Sequence, residues 1–164
     1  MGNLLVVKDK VTRFAKEAFN VVMIDDDGDL KIPYNSTVVY ISVEELDRSE
    51  FSEESKKFYE DNQISTTYVE VWAPVIVDVK PSDVLFKWVA TEGQKYKFGG
   101  FKVSPIKNTD EVQLIFSHSL AGDTLDPGEL KNALIAVSGT ADHQDENLQK
   151  LFGGKRIEDL RNRE

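Results

Sequence analysis

The chain has 164 residues, 40% of them hydrophobic, a formal net charge of −9 and no cysteine. That length suits one domain with its own core, and the missing thiols exclude disulfides, thiolate metal sites and cysteine nucleophiles. The acidic balance argues against nucleic acid and anionic membrane surfaces, which are gripped through Lys and Arg. No apolar run is long enough to span a bilayer, and the first residues lack the apolar core and cleavage site of a secretory signal. The expected location is the cytoplasm.

The pattern predicts a first helix over residues 4–19. Leu4, Val7, Val11, Phe14 and Ala18 recur at three- and four-residue steps, with charged residues between them. VVMI and LKI then flank the loop DDDGD, and STVVYISV is a β-branched run with a strong strand signal. Residues 44–65 are polar and acidic and read as an excursion from the sheet, with a short helix starting near Ser52. TTYVEVWAPVIVDV is the next strand or strand pair, and Pro74, which has no N–H to donate, marks an edge, a bulge or a break in it. SDVLFKWVAT reads as a short helix capped by Ser82 or Asp83. FGGFKV and EVQLIFSHSL are strands. A long helix from DPGELKNAL to about LQKLF, residues 126 to about 152, closes the chain, with a stripe of Leu130, Leu134, Val137, Ala141, Leu148 and Leu151, and Gly153-Gly154 ends it. Helices interspersed among antiparallel-type strands give an α+β domain. The domain is expected over residues 1–154, with 155–164 as a charged helical or disordered tail.

Four constellations invite a chemical reading. The loop DDDGD at residues 25–29 resembles an EF-hand, but neither register supplies all the ligands. With Gly28 at the glycine position, Met23 and Tyr34 fall where carboxylates are needed; with Asp25 first, Leu30 replaces the glycine and Ser36 the glutamate. Asp27-Gly28 between apolar runs is a hairpin turn signal instead, and a weak cation site at Asp25, Asp27 and Asp29 stands as the alternative. Ser117-His118-Ser119 with Asp123 holds the residue types of a hydrolase triad, without the G-x-S-x-G elbow that would expose a serine. Asp142, His143, Asp145 and Glu146 lie on one helix and read as a solvated face. Asp126-Pro127-Gly128-Glu129 is a helix start, with Asp126 as cap, Pro127 in the first turn and Glu129 closing a capping box. No phosphate-loop pattern is present, and no cofactor and no metal site is expected. Trp72, Phe101 and Phe116 are the candidate partner-binding residues, since aromatic anchors concentrate binding energy.

The stretches DDDGDLKIPYNSTVVYISV, VEVWAPVIVDVKPSDVLFKWV, FGGFKV and LIFSHSLAGDTLDPGELKNALIAVSGTADHQDENLQKLFGG resemble the YbjN-type, type III secretion chaperone-like proteins, in particular their actinobacterial branch. SLAGDTLDPGEL, followed by the alanine-rich helix and FGG, is the most specific part. Residues 44–65 and the stretch after Gly154 are longer than the family's usual connections. The resemblance implies a helix–antiparallel sheet–helix sandwich in the order α-β-β-β-α-β-β-α, forming homodimers. It also implies a non-enzymatic chaperone or adaptor that binds an extended segment of a partner protein, with no catalytic residue carried over. The alternatives are a ligand- or cation-responsive regulator using Asp25, Asp27 and Asp29, and a small hydrolase using His118 with Ser119 or Asp123.

Overall fold

A computed structural model describes residues 2–161. Helix α1 (Gly2–Ala18) is followed by the short strand β1 (Met23–Ile24), β2 (Leu30–Tyr34) and β3 (Thr37–Glu45). Helix α2 (Glu53–Asp61) interrupts the sheet before the long strand β4 (Thr67–Val79). Helix α3 (Asp83–Thr91) runs into one 3-10 turn and is followed by β5 (Gly100–Pro105), β6 (Val112–Ala121), the long helix α4 (Pro127–Phe152) and α5 (Ile157–Arg161). The strands form one six-stranded sheet in the order β1-β2-β3-β4-β6-β5, and every pairing is antiparallel.

One face of the sheet carries the core. Val69, Val71 and Ala73 of β4 point to that face and are fully buried, while Tyr68, Glu70 and Trp72 between them are half-exposed on the other. This is the period-two alternation of a sheet covered on one side. Helix α1 lays Val7, Val11, Phe14 and Ala15 on the covered face, and α4 adds Leu130, Leu134, Val137, Ala141 and Leu148. At the β5 end, Trp88 of α3 meets Phe101 and Phe152 edge-to-face at 5.1 and 5.7 Å. Leu151, which the sequence pattern puts in the α4 stripe, is 64% exposed. The stripe steps by four residues from Leu148, so Phe152 and not Leu151 is the residue that packs inward.

Pro74 lies in a central strand, which the ladder tolerates through a bulge. The β4–β6 register shifts between Pro74 and Ile76 and again between Ile76 and Val79. On the other side β3 leaves β4 after the Tyr40–Trp72 pair. The Thr37 hydroxyl donates to the Pro74 carbonyl at 3.1 Å, and Lys155 exchanges two 2.8 Å backbone hydrogen bonds with Val77. The chain therefore returns after α4 to occupy the space that β3 vacates. Gly154 permits this return, because at φ +79° a Cβ there would stand 2.4 Å from the Val77 carbonyl oxygen. Arg161 then donates to the carbonyls of Asn35 and Thr37 at 3.0 and 2.7 Å. Residues 155–161, read from sequence as a charged tail, are thus docked on the sheet as far as they are described.

Candidate functional site

The acidic loop is a turn. Asp25 folds its carboxylate back to accept the N–H groups of Asp27 and Asp29, at 3.1 and 2.9 Å, and Gly28 takes φ +87°. Asp29 accepts the Ser42 hydroxyl from β3. Burial raises the Asp29 pKa and the Ser42 bond opposes this, while Asp25, Asp27 and Glu44 push it up further. Among the described residues no group of three or more His, Asp or Glu side chains is arranged to hold a metal ion. The loop's work is to fold β1 back beside β2.

That fold-back builds a groove. Leu30 and Ile41, both buried, form its floor with half-buried Val43, all on the helix-covered side of the sheet. Leu5 of α1 and Ile24 of β1 stand on opposite walls, 69% and 68% exposed. The groove encloses about 240 Å³ and carries more apolar than polar surface. β1 is the last strand of the sheet, so its outer edge offers backbone donors and acceptors to an incoming extended chain. Leu5 and Ile24 are the functional candidates that sequence reasoning missed. The available signal was Leu5-Val6, two apolar residues on the side of α1 that a simple amphipathic helix would leave polar.

The three aromatic candidates separate. Trp72 lies on the uncovered sheet face and stacks on its cross-strand neighbour Tyr40, centroids 4.4 Å apart and planes 14° from parallel. Its indole N–H donates to the Ser42 hydroxyl at 3.1 Å, so the ring is held in place but remains accessible. Phe101 and Phe116 are 1% and 0% exposed. They form the centre of an edge-to-face cluster with Trp88 and Tyr96 at 5.0–5.2 Å, and they present no surface to a partner in this conformation. Their alternation along β5 and β6 shows a strand face but not which face the helices cover, and that is the information the sequence lacked.

The catalytic constellation does not assemble. Ser117 and Ser119 point to the opposite side of β6 from His118, as alternation requires, and His118 lies edge-on to Phe98 at 6.2 Å. Asp123 faces elsewhere, accepting from Ser65 and Thr67 hydroxyls, the Thr66 N–H and the Asn3 amide. Burial pushes its pKa up, but these bonds outweigh burial and hold the carboxyl below its usual range. Asp142 and Asp145 are not a solvated helix face. Both accept the Ser36 hydroxyl from the β2–β3 turn, and Asn35 also donates to Asp142 at 3.1 Å. The Ser36 hydroxyl, with Asn35 and the Ser36 N–H, lowers the Asp142 pKa against the effect of burial. The capping box at Asp126 and Glu129 is formed as the sequence indicates.

Comparisons with known proteins point one way. In fold the chain is similar to the YbjN protein of E. coli, at a TM-score of 0.57 and 12% identity, covering 90% of this chain and 96% of that one. It is also similar to a chain of the ExsC–ExsE complex, at a TM-score of 0.51 and 13% identity, covering 87% of this chain and 93% of that one. At these identities the likeness is one of fold. No curated protein matches by sequence. A family model, TY-Chap1, described as type III secretion (YopN, CesT) and YbjN peptide-binding chaperone 1, matches residues 54–160. The match takes in α2 and α5, two parts that the sequence resemblance left aside, and begins after the α1–β3 region that forms the groove. Over that majority of its length, the chain belongs to the TY-Chap1 family of peptide-binding chaperones.

Proposed function

We propose that this protein is a non-enzymatic chaperone or adaptor of the cytoplasm, working as a homodimer, that holds an extended segment of a partner protein. Its resemblance to actinobacterial YbjN-type sequences supports a bacterial source. The observation that carries the reading is the apolar groove between Leu5 and Ile24, opening beside the free edge of β1. A client strand added to β1 would satisfy its backbone along that edge and set alternate apolar side chains beside Ile24, at the mouth of the groove. Each large apolar side chain so buried contributes about 1.5–3 kcal/mol, enough for a few anchors to hold a segment. Trp72, on the opposite face, is a second contact for a client that wraps around the sheet edge. The surplus of carboxylates favours clients with basic segments. The dimeric part is supported by the family resemblance and by the exposed apolar side chains Val84, Phe86 and Phe98 at the α3 and β5 end.

The test is affinity capture from native cytoplasm, comparing the wild type with an Ile24→Asp, Leu5→Asp variant. One or a few proteins enriched by the wild type and lost from the variant is the expected result. Capture that is the same for both would remove the groove from the account.

A further inference from the structure

The open face of the sheet holds a buried hydroxyl with no partner. Ser117 is 3% exposed, and its Oγ makes no hydrogen bond among the described residues. In the ladder Trp72 of β4, Ser117 of β6 and Gly100 of β5 stand side by side, with Glu70 beside Ser119 and Lys102 beside Ile115. Residues paired in this way share a face. The Lys102 ammonium donates to the Glu70 carboxylate across the intervening strand, so this ion pair runs diagonally over Ser117. A buried hydroxyl ordinarily finds a partner. Lys102 has three N–H donors, yet it gives Ser117 none. The lysine side chain stays 55% exposed while that of Glu70 is 23% exposed. Tyr68 and Trp72 flank Glu70 at alternate positions of β4, and both are half-exposed. Tyr40 stacks on one face of the Trp72 indole, and the Tyr68 hydroxyl donates to Glu44, a second carboxylate on this face.

We propose that this is a subsite for an arginine side chain of the partner segment, with Lys102 as its placeholder in the free chain. A guanidinium carries five N–H donors in a flat fork. It would pair with Glu70, donate to the orphaned Ser117 Oγ and lay its plane against the indole of Trp72. Lys102 would be released to solvent. An exposed ion pair is worth at most about a factor of five in its equilibrium, so the exchange costs little. Gly100 has no side chain to block the approach, and the net charge of −9 draws a basic segment to the chain. The inference deepens the second contact given to Trp72 above and rests on the chain holding a partner segment. It does not depend on the β1 groove.

Titration of the full chain with N-acetyl-arginine amide, followed by NMR at the Trp72 indole N–H, tests it. N-acetyl-citrulline amide, of the same shape without the charge, is the control. A saturable shift with arginine that weakens as salt rises is expected, with citrulline at least about tenfold weaker. Glu70→Gln should weaken arginine binding at least about tenfold. Lys102→Met removes the competitor and should tighten it about two- to fivefold. Circular dichroism checks that both variants fold. Citrulline binding as well as arginine, or binding indifferent to Glu70→Gln, overturns the cation subsite. Unchanged affinity in Lys102→Met overturns the placeholder role, and no shift in either the wild type or Lys102→Met overturns the proposal whole. Client capture by the Ile24→Asp, Leu5→Asp variant is read separately, so the subsite and the groove can fail independently.

Discussion

Asp123 receives side chains or backbone from α1, from the entry to β4 and, through Lys10, at its own carbonyl. It therefore ties the amino-terminal helix to the sheet. Asp123→Ala leaves several of these donors without partners, at a cost of about 1–3 kcal/mol, measured as a lower urea midpoint. Asp123 and Asp142 both have carboxyls held below the usual range in the folded chain. Their stabilisation is complete above the unfolded carboxyl pKa of about 4 and is lost as pH falls through the lower folded value. Asp29, whose pKa is raised chiefly by burial, acts in the opposite sense: it withdraws stability as pH rises from the unfolded carboxyl pKa through its higher folded value. Urea midpoints followed from neutral to acid pH should fall, and fall less steeply in Asp142→Asn. At Phe101 and Phe116 truncation to alanine is expected to cost about 3–5 kcal/mol, as for any phenylalanine in a packed core. Trp72→Ala, by contrast, should leave the chain folded and weaken client capture.

At the scale of elements, the strands and the two long helices are written plainly in the sequence. The β-branched run of β3 and the Asp126 capping box each state their structure locally, because propensity and pattern agree there. β4 was legible in type but not in place. Pro74 points to an edge, a bulge or a break, and the bulge is what forms: the strand is central, Thr37 satisfies the Pro74 carbonyl and the bulge absorbs the missing donor. The docking of residues 155–161 could not be read, because it depends on the vacancy left where β3 diverges. The candidate site was illegible for the same reason. Leu5 and Ile24 are 19 positions apart, and only the fold-back at Gly28 makes them two walls of one groove. Pro at position 24 or 23 would serve as an element-level probe. Met23→Pro is expected to reduce client capture while the urea midpoint moves little, because β1 is a two-residue edge strand outside the core.

The whole molecule is a sheet with one covered face, one open face and two different edges. The β1 edge bears the acidic turn and the groove, and the β5 end bears exposed lysines and separately exposed apolar side chains. Among the described residues no helix is long and apolar enough to cross a membrane. The family assignment gives peptide binding as the common activity, and the proposed function puts the client at the β1 edge. Backbone hydrogen exchange on the chain, with and without a segment of a captured client, tests the central claim most directly. Strand addition at β1 should slow exchange at residues 20–25 and along the groove side of α1, with the β5 edge unchanged. Protection confined to the open face around Trp72, or to β5, with residues 20–25 exchanging as in the free chain, would contradict it.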